Sequence, residues 1–308
     1  MSSDNLPRTS PRAADDWRIV AVVTGAGIGY ETALALAGRA ASVVIAARSV
    51  ERGEAAARRI ASIVPQADLS VGALDLADLR SVTTFVDWLK QRFDRLDLLI
   101  NNAGVMTPPE RRETIDGHEQ QFGTNHLGHF ALTGRLLPLL QGPHRARVVT
   151  LSSLMHWFGE VDFNDLQGRR YSPDRAYAQS KLANLLFARK LEGESRRHGW
   201  GLISVAAHPG IARTDLVANG PGATSVAGRL NKMVVEALLS QSAAAGAMPT
   251  LLAATGTDVV GGQYYGPSRL FGIKGPPGLA RSSKRARDEA TAGRLWAVSE
   301  QLTGVSYH

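Results

Sequence analysis

Apolar residues along this chain come in short unbroken runs, at 19–23, 42–47, 69–74, 96–100, 147–151 and 202–207, instead of the alternation of a half-exposed strand. Runs of this length are too short for helices and suit strands covered on both faces. Between them the pattern becomes that of helices with an apolar stripe, at 30–39, 50–63, 79–93, 117–140 and 174–198. A seventh strand is expected at 262–265 and a closing helix around 283–302. Strand alternating with helix predicts an α/β fold in a single domain: a doubly wound parallel sheet of about seven strands, helices on both faces, right-handed crossovers. Ligands of such sheets sit beyond the carboxyl ends of the strands, where strand order reverses.

Composition adjusts this picture only at its edges. With 308 residues, 44% of them hydrophobic, one sizeable core can form. Residues 1–16, rich in Ser, Pro, Arg and Asp, are expected to be a disordered leader, with the folded domain at 17–308. No run approaches the ~20 apolar residues of a membrane span, so no transmembrane segment is expected and a cytoplasmic location is the default. The absence of cysteine excludes thiol catalysis, disulfides and thiolate metal sites, and the eight His form no His-x-x-x-His pair, so no metal is expected. The net charge of +7 invites a nucleic-acid reading. Yet no recognition motif accompanies it, and the basic residues are spread along the chain apart from a cluster at 281–287.

The chemistry concentrates at predicted strand ends. Val23-Thr24-Gly25-Ala26-Gly27-Ile28-Gly29 joins the first strand to the first helix, and glycines there let a backbone approach a pyrophosphate seated on the free N–H groups of a helix start. About twenty residues on, where a dinucleotide fold places an acid for the NAD ribose or a base for the NADP phosphate, stands Arg48 with Arg52 a turn later. Asp75-Leu76 follows the third strand and Asn101-Asn102-Ala103-Gly104 the fourth. Asn125-His126-Leu127-Gly128-His129-Phe130 lies in a helix, Ser152-Ser153 ends the fifth strand, and His208-Pro209-Gly210-Ile211-Ala212-Arg213-Thr214 follows the sixth. Tyr177 and Lys181 are four apart on a predicted helix, so a phenol and an ammonium share one face. A neighbouring cation is expected to bring the phenol down from ~10 toward the working range of an acid–base group.

In this order the motifs resemble those of the short-chain dehydrogenases/reductases, nearest to the retinol-dehydrogenase-like and WW-domain-oxidoreductase-like branch, without a WW module, over about 17–265. The resemblance implies a Rossmann-type fold binding NADP(H), preferred over NAD(H) because Arg48 stands where an acid would be. It implies catalysis by Asn125, Ser153, Tyr177 and Lys181. Tyr177 would exchange the proton with the substrate oxygen, Ser153 would hydrogen-bond that oxygen, Lys181 would hold the nicotinamide ribose, and Asn125 would support a water leading from Lys181 to solvent. Gly25, Gly27, Ile28 and Gly29 would take the phosphates. Asp75 and Leu76 would meet the adenine, Asn102, Ala103 and Gly104 the adenosine ribose, and Pro209, Gly210, Ile211 and Thr214 the nicotinamide carboxamide. Of the adjacent serines, Ser153 matches the branch pattern relative to Tyr177.

A substrate lid is expected at 215–250, rich in Gly and apolar residues. Leu216 there, with Met106, Ser153, His156 and Trp157, would form a wall for a small lipophilic ketone, aldehyde or alcohol. A homodimer or homotetramer is compatible with the family, as is a monomer. One departure stands out: a single residue separates Gly25 from Gly27, where the family has three between its first two glycines. The rival to an enzyme is therefore a catalytically silent dinucleotide-binding sensor or scaffold. A light-dependent protochlorophyllide reductase shares many of the motifs but uses a cysteine, which this chain lacks.

Overall fold

The computed structural model describes residues 19–25, 28–39, 41–142, 145–211 and 241–307. The first six apolar runs form β1 (Val20–Thr24), β2 (Ser42–Ala47), β3 (Asp68–Ala73), β4 (Leu98–Asn101), β5 (Arg147–Leu151) and β6 (Ile203–Ala207). They pair in parallel in the order β3-β2-β1-β4-β5-β6, followed by β7 (Tyr264–Arg269) and an antiparallel β8 (Lys274–Leu279). The order reverses between β1 and β4, so the carboxyl ends of those strands frame the crevice in which a ligand of this fold sits.

A run without alternation still serves two faces, because successive side chains of a strand point opposite ways. Val20 and Val22 pack into one buried cluster, with Phe85, Leu89, Phe130 and Phe187. Ala21 and Val23 enter the other, with Leu36, Ile60 and Ala247. The first face is covered by α3 (Leu79–Lys90), α4 and α5 (Pro173–His198). Helix α4 is built from three consecutive pieces, Gln120–Phe122, a π-helical Gly123–Leu127 and Gly128–Leu140. The second face is covered by α1 (Ile28–Ala37), α2 (Val50–Ile63) and α6 (Ala243–Thr255), and α7 (Glu289–Thr303) closes the chain against α5.

Local chemistry sets the element ends. The Asp78 carboxylate accepts from Arg80 N and Ser81 N to start α3, and the buried Glu119 carboxylate accepts from Gln121 N and Phe122 N to start α4. Helix α5 opens with Pro173 in its first turn and ends at Gly199, whose φ of 67° no side chain favours.

Two elements depart from expectation. Among the described residues the sheet of about seven expected strands has an eighth, because Lys274-Gly-Pro-Pro-Gly-Leu279 pairs with β7 despite two prolines and two glycines, a composition an edge strand tolerates. Of the expected lid at 215–250, 215–240 lies outside the described residues. Its last part belongs to α6, whose Ala247, Pro249 and Thr250 are buried against the sheet.

Candidate active site

The π-helical piece of α4 places Asn125 against the loop after β4. Asn125 Nδ2 donates to Val105 O (2.9 Å) and to Ser180 Oγ (3.0 Å), and Oδ1 accepts from Val105 N (2.8 Å). A single side chain thereby joins α4, the Asn102-Ala103-Gly104 turn and α5. A Cβ at Gly104 would stand 2.9 Å from Asn125 Oδ1 and 3.6 Å from Lys181 Nζ, so only glycine lets these groups approach.

Helix α5 carries Tyr177 and Lys181 toward the end of β5. The Ser153 side chain stands near enough to the Tyr177 phenol to hold its pKa down, and its Oγ accepts from Met155 N (3.2 Å). Ser152 is buried and donates to Lys181 O (2.7 Å), a structural bond that leaves Ser153 as the hydroxyl facing the phenol. Lys181 Nζ lies 5.7 Å from the centroid of the Tyr177 ring and donates to Leu151 O at 3.3 Å. Asn184 Nδ2 shares that acceptor at 2.9 Å. An ammonium has three donors, and Leu151 O is the acceptor it has among the described residues, so hydrogens remain for a polyhydroxylated group such as a ribose.

The electrostatics correct one expectation. Burial pushes the Tyr177 phenol up to about 12, and the Ser153 side chain offsets only part of this. Burial likewise pulls Lys181 down to about 8. In the protein alone, lost hydration of both groups outweighs their mutual attraction, and the cation over the ring does not bring the phenol into the neutral range.

On the nucleotide side, Gly25 has a φ of +81°, and a Cβ there would stand 3.0 Å from the Ala103 Cα and Cβ. The buried Thr24 hydroxyl oxygen accepts from both Asn102 N and Ala103 N (2.9 Å each), and Asn102 Nδ2 donates to Thr24 O (2.8 Å). Asn102 thus spends its amide holding the turn onto β1, and sequence reasoning missed Thr24 as its partner. Thr24 Oγ1 also lies 3.0 Å from His129 Nε2, while His129 Nδ1 donates to Asn125 O (3.0 Å). Burial lowers His129 to about 4, so the ring stays neutral and links the end of β1 to α4.

Other expected residues are placed as follows. Arg48 is exposed beyond the end of β2, and Arg52 is exposed in the first turn of α2. Asp75 is half-buried with Oδ1 accepting from Ala77 N (2.9 Å), and Leu76 is buried. Ile28 and Gly29 open α1, whereas Gly27 and Ala26 lie outside the described residues, as do Thr214 and Leu216. Pro209 and Gly210 (φ 67°) follow β6. Ile211 N donates to Ile273 O (3.0 Å) and Ile211 O accepts from Gln241 N (2.8 Å), so its main chain is engaged within the fold. Met106 is half-buried and Trp157 is 45% exposed. His156 is no part of a substrate wall. It is 0% exposed, with Nδ1 donating to Ser153 O (2.7 Å) and Nε2 accepting from Ser283 N (3.2 Å). Among the described residues no group of three His, Asp or Glu could hold a metal ion.

Three residues in sequence, 25–27, separate the end of β1 at Thr24 from the start of α1 at Ile28. Inserting Asn-Ser between Ala26 and Gly27 restores the family's spacing and its phosphate donors. Each charge-assisted bond regained is worth ~1.5–3 kcal/mol, so NADPH should bind at least about tenfold tighter in a fluorescence titration. An insertion variant that binds no better would show that the short turn already presents its donors.

The family model described as "short chain dehydrogenase" matches residues 19–222. Retinol dehydrogenase 12 of Mus musculus is 40% identical, the alignment covering 94% of this chain and 87% of that protein. Retinol dehydrogenase 13 of Homo sapiens is 40% identical over 92% of this chain and 84% of its own length. A crystal structure of an uncharacterized protein from Mycobacterium Paratuberculosis superposes with a TM-score of 0.77 at 40% identity, covering 97% of this chain and all of that one. The strand order, the Ser153–Tyr177–Lys181 cluster and these relatives agree, and the chain belongs to the short-chain dehydrogenase/reductase family, in its retinol-dehydrogenase-like branch.

Proposed function

We propose that the protein is an NADP(H)-dependent oxidoreductase that interconverts a lipophilic ketone or aldehyde and its alcohol, with Tyr177 as the general acid and base. The observation that carries this reading is the Ser153 hydroxyl beside the Tyr177 phenol, with the buried Lys181 ammonium over the same ring. Because the relatives are named retinol dehydrogenases, a retinoid-like aldehyde or alcohol is the first substrate to try.

The bound dinucleotide would supply or accept the hydride at the carbonyl carbon. For reduction, Tyr177 holds its proton at every neutral pH and delivers it to the substrate oxygen as charge develops there. Ser153 accepts from Met155 N, which leaves its own hydrogen to donate to that oxygen. In the reverse direction Tyr177 would take the alcohol proton only after giving up its own to solvent, so oxidation would gain as pH rises. Lys181 would hold the nicotinamide ribose through its remaining hydrogens. Asn125 has its side chain fully engaged, and its carbonyl keeps one lone pair beside the His129 bond for a water. No helix among the described residues is long and apolar enough to cross a membrane.

Turnover of a panel of lipophilic aldehydes, retinal included, with NADPH and NADH tests the activity. Tight cofactor binding without turnover of any substrate would favour the silent sensor instead. Cofactor choice is tested at Arg48, exposed where the ribose phosphate is expected. One charge-assisted bond of ~1.5–3 kcal/mol makes NADPH roughly ten- to a hundredfold the tighter ligand. Arg48→Asp is expected to abolish or invert that ratio, and wild-type protein that favours NADH would sink the assignment.

A further inference from the structure

The His156 ring bridges two parts of the chain 127 residues apart, and its hydrogen bonds leave no freedom in how it is protonated. A carbonyl only accepts, so Nδ1 carries the hydrogen toward Ser153 O (2.7 Å). A backbone amide only donates, so Nε2 offers its lone pair to Ser283 N (3.2 Å). Neutral imidazole in its Nδ1–H form satisfies both bonds, whereas imidazolium or the other tautomer breaks one of them. The ring is walled by Tyr264, edge-on at 5.5 Å, and by Trp157 at 5.2 Å, and is 0% exposed. Burial favours the same neutral form.

Ser153 O therefore accepts twice from His156, from its ring and from its main-chain N–H at 3.1 Å. This carbonyl belongs to the residue whose hydroxyl faces Tyr177. Ser153 is extended (φ −153°, ψ 160°) where β5 gives way to a 3-10 turn, a junction with no regular ladder to hold it. Ser283 is itself buried, its hydroxyl accepting from Ala286 N (3.2 Å) as it starts the turn Arg285–Arg287 that leads into α7.

We infer that His156 is a positioning residue: it clamps the Ser153 main chain to the carboxyl-terminal segment through Ser283 and so aims the Ser153 hydroxyl at the reacting oxygen. This rests on the reading of Ser153 as the hydroxyl that meets substrate. A displacement of about 1 Å at such a group costs on the order of a hundredfold in rate, so loss of the clamp falls on kcat. Cofactor affinity, set elsewhere, is left alone.

The test is a double-mutant cycle with His156→Ala and Ser153→Ala, read as kcat, KM and NADPH Kd, with His156→Asn as the conservative variant. His156→Ala is expected to lower kcat roughly tenfold to a hundredfold, with KM and Kd within about threefold. In the Ser153→Ala background the same substitution should cost less than about threefold, since no hydroxyl remains to be aimed. His156→Asn keeps a donor near the Nδ1 position and should recover most of the loss. Equal losses in both backgrounds, or wild-type kcat in His156→Ala, would overturn the inference. If His156→Ala does not fold, the tautomer of His156, read without substrate, decides. Wild-type protein that turns over no substrate would count against the proposed function and not against the clamp, which is also read without substrate. Nitrogen NMR of histidine-labelled protein should show His156 as the neutral Nδ1–H tautomer at pH 7, and an Nε2–H tautomer would refute the clamp.

Discussion

Tyr177→Phe is expected to lower kcat by at least about a hundredfold while leaving NADPH affinity within about threefold. The substitution deletes one hydroxyl and keeps the ring over which Lys181 Nζ sits at 5.7 Å, so the packing around the ammonium survives. What disappears is the proton: the phenol is held near 12 by burial, hence fully protonated at neutral pH, and phenylalanine has none to give. KM should change little, because the lost interaction strengthens only as the substrate oxygen gains charge. Steady-state kinetics with a competent aldehyde, alongside fluorescence titration of NADPH, separate these quantities. Equal turnover by the two proteins would remove Tyr177 from the reaction.

Lys181→Met is expected to abolish most turnover and, at the same time, to stabilise the fold. The Lys181 ammonium is 5% exposed, and its burial lowers the pKa from 10.5 to about 8. The sign follows from proton counting. Between those two values the unfolded chain binds the proton and the folded chain does not, so stability rises with pH across that window. Below about pH 8 the fold bears the whole cost of the buried charge, on the order of 3 kcal/mol. Methionine fills the same unbranched volume without a charge, and the lost Leu151 O bond returns only about 1 kcal/mol of that gain. Thermal unfolding at pH 7 should show the variant more stable by a few degrees, with the difference shrinking by pH 10. A variant less stable than wild type at pH 7 would mean that the ammonium is well solvated in place. Cofactor affinity of the wild type should also weaken as pH rises through about 8, where the charge offered to the ribose is lost.

Much of this site is legible along the chain because its groups sit at strand ends and helix spacings that local pattern exposes. Ser153, Tyr177 and Lys181 come together as their spacing implies, and of the adjacent serines it is Ser152 whose hydroxyl is spent on Lys181 O. What pattern could not show depends on partners far along the chain. His156 reads as a packed polar residue or a substrate contact until Ser283 is seen across it, and His129 acquires a role only through Thr24. The Tyr177 pKa runs opposite to what the helix spacing predicts because proximity of charge can be read from a helix, while loss of water cannot. Helix α6 escaped because Ala243–Thr255 is small and apolar on all sides, so no stripe marks it. Strand β8 escaped because its Pro and Gly content argues against any strand that has two neighbours.

That last strand also decides how the sheet ends. A parallel sheet must stop somewhere, and its final strand carries an unused row of main-chain donors and acceptors that another chain could extend. Here the row is broken by the adjacent Pro276 and Pro277, one of which faces the free side with no N–H to offer, and Gly275 and Gly278 bring little strand propensity. Growth of the sheet from molecule to molecule is blocked at this rim by chemistry built into the strand itself. At this edge a contact with another molecule would have to be made by side chains, and not by open-ended addition of strands.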